Sequence, residues 1–196
     1  MKLKNLRTKV LARNVLHFKT IDSTQSEVWR LINKNAPSGT IVIADIQTAG
    51  KGTHGRIWHT DNENNIAFSF FVQLDCNISK LTGITTKIAE IIVETFKEKY
   101  NIGLDIKSPN DIMHNNKKLG GILTETKMVG ENVKYLVVGI GINTSKEHFT
   151  DDIKDIATSI KKEFNIDIDT QEVIAEICNK IEEQINNDKL PIEITK

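Results

Sequence analysis

The chain has 196 residues, 39% hydrophobic and 27% charged, an ordinary composition for one sizeable core or a main domain with a small appendage. No apolar run is long enough to span a bilayer, and the basic stretch 1–16 lacks the apolar block of a signal peptide, so a cytoplasmic protein without a membrane partner is expected. Formal charge is zero but uneven, with 20 Lys and Arg against 14 Asp and Glu over residues 1–150 and 6 against 12 over 151–196. A basic body suits an anionic small molecule; an asymmetry without function is the alternative, since surface charge is loosely constrained. No nucleic-acid-binding motif is visible, so no nucleic-acid partner is expected. Cys76 and Cys178 lie far apart with no partner motif, which argues for buried thiols over a disulfide framework or a zinc site, and no protein-bound metal is expected.

In chain order, Asp22-Ser23-Thr24-Gln25 precedes a helix. Thr24 with Glu27 makes a capping-box pattern, and Val28, Leu31 and Ile32 follow at helical spacing until Pro37 and Gly39. Ser23 and Thr24 therefore sit at a helix N-terminus, either as caps alone or with hydroxyls that also face a ligand.

The apolar run Thr40 to Ile46 reads as a buried strand, and it leads into Gln47-Thr-Ala-Gly50-Lys51-Gly52-Thr53-His-Gly55-Arg56-Ile-Trp58. Glycines 50, 52 and 55 permit positive φ and close backbone approach, while Lys51 and Arg56 supply charge, so the loop is expected to hold an anion. The spacing also fits a dinucleotide fingerprint, but that motif opens a helix and is followed by an acidic residue about 20 positions on. Here Ile66 to Leu74 resumes as a strand instead. A merely flexible surface loop is the other alternative.

Ser79 to Tyr100 carries Leu81, Ile84, Ile88, Ile91 and Ile92 at the spacing of an amphipathic helix packed on a sheet. After it, Asn115-Asn116 makes a two-residue hairpin turn, since asparagine tolerates positive φ. Met113 would then face Lys118, with Asp111 one diagonal step away on the same face, at roughly 7–8 Å between backbones. Lys117 would point the other way. A shared pocket and a surface ion pair are both open for Lys118 and Asp111. Gly120 and Gly121 offer further close approach for a ligand.

The strand Lys134 to Asn143 alternates glycine and isoleucine. Its glycines leave either a slot, with Asn143 at the end to bond a polar ligand, or a close helix contact. Asp169 with Glu172 caps a last helix through Asn186, with Val173, Ile177 and Ile181 inward. No repeat or linker divides the chain.

Taken together and in order, Asp22-Ser-Thr-Gln25, Gln47-x-Ala-Gly-Lys-Gly-x-x-Gly-Arg-x-Trp58, Lys107-x-Pro-Asn-Asp111, Lys118-Leu-Gly-Gly-Ile-Leu-x-Glu125 and Gly139-Ile-Gly-Ile-Asn143 resemble biotin protein ligase. The resemblance runs from about Phe18 to Asn143. It implies an α/β fold of the α+β type, a mixed, largely antiparallel sheet flanked by helices. One catalytic domain is expected over 1–196, its core at about 18–145 and a helical acidic segment at 150–196. No winged-helix domain is expected, and the small SH3-like barrel of the family would be absent or reduced.

The resemblance further implies that biotin and ATP form biotinyl-5'-AMP with magnesium assisting, and that biotin passes to a lysine of a carboxylase biotin-acceptor domain. The oligomeric state expected is a monomer or weak homodimer. Catalysis would fall to Lys118, Asp111, Lys51 and Arg56. Biotin would meet Ser23, Thr24, Gln25, Gln47, Lys51, Gly52, Thr53, Lys118, Gly120 and Gly121. ATP and the adenylate would meet Gly50, Lys51, Gly55, Arg56, Trp58, Asn110, Lys118 and Asn143. Departures from the family pattern are Thr53 and Lys51 where arginine is common and Ser108 where tryptophan is frequent. Fewer guanidinium forks imply looser retention of the adenylate. A lipoate or octanoate ligase of the same fold and a biotin-binding module without turnover are the alternatives.

Overall fold

In the computed structural model, residues 2–60, 65–187 and 190 are described. Strands β1 (Val15–Ile21) and β2 (Ile41–Gln47) are parallel and joined through helix α1 (Thr24–Asn33). All other neighbours are antiparallel: β3 (Ile66–Asn77), β4 (Asp105–Lys107), β5 (Asp111–His114), β6 (Lys117–Val129) and β7 (Asn132–Ile142). The sheet runs β1-β2-β3-β7-β6-β5-β4. This is the mixed, largely antiparallel sheet expected from the sequence.

Strand alternation sorts the apolar side chains into two layers. Phe71 of β3 joins Val42 and Val137 beneath Val28 and Ile32 of α1. Its neighbour Phe70 points to the opposite face, with Phe68, Val138 and Ile140, against helices α2 (Ile84–Tyr100) and α4 (Thr170–Asn186). Helix α2 stops at Asn101, which takes the left-handed conformation (φ 56) that ends helices. Its start differs from the expected Ser79: a 3-10 turn, Ile78–Leu81, comes first, entered by the Asn77 side chain accepting from the Ser79 N–H.

The larger apolar cluster takes in residues from both ends of the described chain. Helix α4 is capped by Asp169, which accepts from the Glu172 N–H at 3.1 Å, and it places Val173, Ile174, Ile177 and Ile181 in the larger cluster with Leu3 and Leu11. The N-terminal segment is tied to it by the buried Glu182 carboxylate. That group accepts the N–H groups of Lys9, Val10 (3.0 Å) and Leu11 (2.7 Å). Three backbone donors on one carboxylate satisfy a charge that burial would otherwise penalise.

Of the two cysteines, Cys178 is fully buried and burial pushes its thiol well above its ordinary pKa, but Cys76 is only half-buried. Among the described residues, no helix is long and apolar enough to cross a membrane.

Candidate active site

The face of the sheet under α1 carries small residues, Ser69 on β3, Gly139 and Gly141 on β7 and Gly121 on β6, and a cavity of about 190 Å³ opens above them. Its floor is polar and buried. Ser23 rather than Thr24 caps α1, its Oγ accepting from the Ser26 N–H at 3.4 Å, and Glu27 bonds Arg30 instead of closing a capping box. That one-residue shift frees the Thr24 hydroxyl, which meets Gln47 Oε1 at 3.1 Å and Ser69 Oγ at 2.8 Å. Gln47 in turn accepts from the Thr24 N–H at 2.8 Å and donates to Thr60 Oγ1 at 3.0 Å. The floor therefore holds its own shape before any ligand arrives.

Gln25 departs from that pattern. Its Nε2 donates to Glu125 Oε2 at 3.0 Å, and the Trp29 indole donates to the same oxygen at 2.6 Å. Its Oε1 is buried beside Gly139 of the cavity lining, with no hydrogen-bond partner among the described residues. An orphaned buried acceptor costs on the order of 1–3 kcal/mol, so it invites a donor from a ligand. Gly139 makes the room, since a Cβ there would come within 2.6 Å of Gln25 Oε1.

Above the floor, the glycine-rich segment is a tight hairpin-like loop. Trp58 N–H donates to Gly50 O at 2.9 Å, Gly52 N–H donates to Arg56 O at 2.8 Å, and Gln47 pairs with Thr60. Among the described residues no α-helix lies between it and β3, as the strand-to-strand reading expected. The expected positive φ holds at Gly55 but not at Gly50 or Gly52. Gly52 is extended (φ −114) and Gly50 does not take a positive φ; a Cβ on Gly50 would lie 2.3 Å from Trp58 O, so close backbone approach selects glycine there. The left-handed positions are His54 (φ 55) and Gly55 (φ 72). Lys51 and Arg56 are exposed on the loop, and the Arg56 guanidinium donates to Thr53 O at 3.2 Å and Thr53 Oγ1 at 2.9 Å.

The third part comes from the β5–β6 hairpin. Asn115 and Asn116 form its two-residue turn with φ 47 and 62, and Met113 pairs with Lys118 as the sequence predicts. A bulge then shifts the register, so Asp111 pairs with Gly121 rather than standing one diagonal step from Lys118. The two side chains still meet, Lys118 Nζ lying 2.6 Å from Asp111 Oδ1, as an ion pair whose angles fall outside hydrogen-bond geometry. Lys118 Nζ also sits 5.9 Å from the centre of the Trp58 ring. That indole fills the slot over Gly141, where a Cβ would come within 2.3 Å of its Cε2.

Asn143 lines the cavity, but its amide donates to Thr158 O at 3.1 Å and its backbone binds Leu119 and Ile160. It thus anchors the segment 144–158, whose part from 150 on was expected within a helical acidic segment; turns occupy 151–156 and the first helix after β7 starts at Ile160. That segment runs alongside the start of β6, Lys118 N–H donating to Ile156 O at 2.7 Å and Thr158 N–H to Lys118 O at 2.9 Å. It contributes Lys146, Phe149, Ile153, Ile156 and Ala157 to the wall. Within it, a hydrogen bond from the Thr150 side chain holds the Asp152 carboxyl below its ordinary pKa, with His59 and Lys146 adding positive charge. A run of polar residues without helical or strand period gave no signal for this wall.

Among the residues expected from sequence, Gly50, Gly55, Gly120 and Asp111 do not line the cavity, and the others do. Gly120 faces Ile112 and Ile142 on the opposite side of the sheet, as alternation next to Gly121 requires. Gly55 lies in the open at the loop tip, and Asp111 reaches the site through Lys118. Phe68, Ser69, Ile122, Leu123, Gly139 and Gly141 also line it and were not named as site residues; the available signals were the hydroxyl of Ser69 within the run Phe68-Ser-Phe-Phe and the slot read from the alternating glycines of β7.

One cavity on one face of the mixed sheet thus gathers buried polar groups and the cations Lys51, Arg56 and Lys118, an arrangement that suits an anionic small molecule with hydrogen-bonding groups. Residues 17–143 match the Biotin/lipoate A/B protein ligase family, and the chain belongs to that family. It is 38% identical over 174 residues to the bifunctional ligase/repressor BirA of Bacillus subtilis, covering 88% of this chain and 54% of the relative. It is 29% identical over 121 residues to the biotin--[acetyl-CoA-carboxylase] ligase of Mycobacterium tuberculosis, covering 55% and 40% of the two. The chain thus spans about half the length of these relatives or less. Among solved structures, the biotin protein ligase of Aquifex aeolicus in complex with biotin and ATP superposes with a TM-score of 0.74 at 31% identity, covering 90% of this chain and 72% of that one.

Proposed function

We propose that the chain is an ATP-dependent biotin protein ligase that forms biotinyl-5'-AMP and then transfers biotin to a lysine of a carboxylase biotin-acceptor domain. The observation that carries this reading is a single cavity lined both by the unpartnered Gln25 acceptor and by Lys51, Arg56 and Lys118. It matches a ligand with a urea-like head and a carboxylate tail. The names and ligands of the relatives, biotin and ATP in the Aquifex structure and acetyl-CoA carboxylase in the mycobacterial name, point the same way.

In the first step a biotin carboxylate oxygen attacks the α-phosphorus of ATP, and pyrophosphate leaves. Two anions must approach, so Lys118 and Arg56 offset their repulsion as charge develops in the transition state. Magnesium would enter as the counter-ion of ATP, as part of the substrate. Among the described residues no group of three or more acidic, His or Cys side chains is gathered that could hold it alone. Trp58 would border the nucleotide.

In the second step an unprotonated lysine amine attacks the acyl carbon and AMP leaves. The Lys118–Asp111 pair gives the two steps an order: Lys118 exchanges its carboxylate partner for substrate oxygens, which leaves Asp111 free to receive or orient the amine. Asp111→Ala is accordingly expected to slow transfer more than adenylate formation. Equal losses in the two half-reactions, measured separately, would remove that role.

Biotin-dependent exchange of pyrophosphate into ATP tests the reading, followed by transfer to a biotin-acceptor domain. Exchange that needs biotin supports it. Exchange supported only by lipoate or octanoate assigns the chain to the other branch of its family, and biotin binding without exchange makes it a binding module.

A further inference from the structure

We propose that Glu125, together with Trp29, is a positioning residue that fixes the Gln25 amide with its oxygen toward the cavity, as the acceptor for a ureido N–H of biotin. This rests on biotin being the substrate. It adds a residue that touches no substrate and a cause for the site's choice between ligands.

A glutamine amide has a donor end and an acceptor end that differ little in shape, so only its partners decide which way it points. A carboxylate accepts hydrogen bonds, so the end of Gln25 that lies 3.0 Å from Glu125 Oε2 must be the NH2 group. Trp29 Nε1–H can only donate, and it holds the same carboxylate oxygen from the adjacent turn of α1 at 2.6 Å, so Glu125 is itself fixed. The Gln25 oxygen is then committed to the other side. It belongs to a residue only 2% exposed, lies against Gly139 and has no donor among the described residues.

The neighbours do not supply one. Gln47 Nε2 is used by Thr60, and the Thr24 and Ser69 hydroxyls bond each other. A ring with two urea N–H groups completes the set. A dithiolane or an alkyl chain does not, and leaves the oxygen buried and unpaired. A site built around a hydrogen bond rejects ligands that lack the matching group far more strongly than an apolar pocket rejects a change of size.

The test is a double-mutant cycle on biotin affinity, measured by calorimetry with the full chain for the wild type, Glu125→Gln, Gln25→Leu and the double variant. Glu125→Gln keeps shape but supplies an amide, so Gln25 can turn over. Each single variant is expected to weaken biotin about tenfold or more, and the double variant to be no weaker than Gln25→Leu within about threefold. Losses that multiply in the double variant, or an unchanged affinity in Glu125→Gln, would overturn the proposal.

If Glu125→Gln does not fold, Trp29→Phe carries the test: it must weaken biotin when Gln25 is present and not when Gln25 is leucine, and equal losses in both backgrounds overturn the proposal. A wild type without biotin-dependent pyrophosphate exchange overturns the functional reading and this inference with it. Intact exchange with independent losses removes only the role of Glu125.

Discussion

At the floor of the cavity, Thr24, Gln25 and Ser69 are buried and bonded to one another or to Gln47 and Glu125, and the buried Ser23 caps α1, whereas Lys51 and Arg56 on the loop above are exposed and held by the loop's own backbone and Thr53. The floor discriminates by geometry: its groups are desolvated once, on folding, and a ligand either completes the set or leaves a vacancy. The loop contributes charge, which acts at longer range and is screened by salt. Lys118 is half-buried, paired to Asp111 and beside Trp58. The division assigns head-group choice to the floor and the handling of the reacting anions to the loop and Lys118.

The largest break in this division is expected from Lys118→Ala. It removes the cation that pairs with Asp111 beside Trp58, and pyrophosphate exchange should fall by about 10²-fold or more while biotin binding without ATP falls far less. Retained exchange would take Lys118 out of the chemistry.

Next come two glycines on one strand. In Gly139→Ala the new methyl meets Gln25 Oε1 at 2.6 Å, and in Gly141→Ala it meets the Trp58 ring at 2.3 Å. Each overpacking is expected to cost about 1–3 kcal/mol locally. Gly139→Ala should raise the KM for biotin chiefly, Gly141→Ala the KM for ATP chiefly. Identical kinetic changes in both variants would erase the boundary between floor and nucleotide side.

A smaller effect, several-fold on the KM for ATP, is expected for Arg56→Ala. The ratio of wild type to variant should shrink as salt is raised, because the lost charge is exposed. A ratio independent of salt would mean that Arg56 acts through fixed hydrogen bonds.

The smallest concerns Asp22, beside the floor, where the hydrogen bond from Arg30 at 2.6 Å lowers the carboxyl from 3.8 to about 2. Its folded pKa lies below the unfolded one, so the pair stabilises the fold above pH 3.8 and the contribution is lost as pH falls from 3.8 toward 2. The Tm difference between wild type and Asp22→Asn should hold steady down to about pH 5 and shrink below it. Since the pair is half exposed, the difference should be modest. A difference that grew in acid would reverse the sign of this linkage.

Much of the fold and site was legible in local chemistry. Asn115-Asn116 gave the turn, the turn gave the facing of Lys118, and the Gly139-x-Gly141 alternation gave a slot on β7. What escaped were features without a local signature. The bulge that moves Asp111 opposite Gly121 adds a single residue to a strand and leaves no trace in hydrophobic period. The wall at 144–158 is polar and aperiodic, and it is placed by backbone pairing with Lys118. Glu125 and Gln25 stand 100 residues apart, and only the sheet's order brings them together. The glycines of the loop were read as sites of positive φ and of close backbone approach to a ligand; Gly55 takes the positive φ, but Gly50 is glycine because Trp58 crosses it, a contact no window of sequence displays.

The most direct measurement is a crystal structure of the chain grown with biotin and MgATP. Biotinyl-5'-AMP is expected in the cavity, its ureido N–H against Gln25 Oε1 and its phosphate between Arg56 and Lys118. A ligand whose ring lies away from Gln25, or whose phosphate is held without Lys118, would contradict the proposed division of the site.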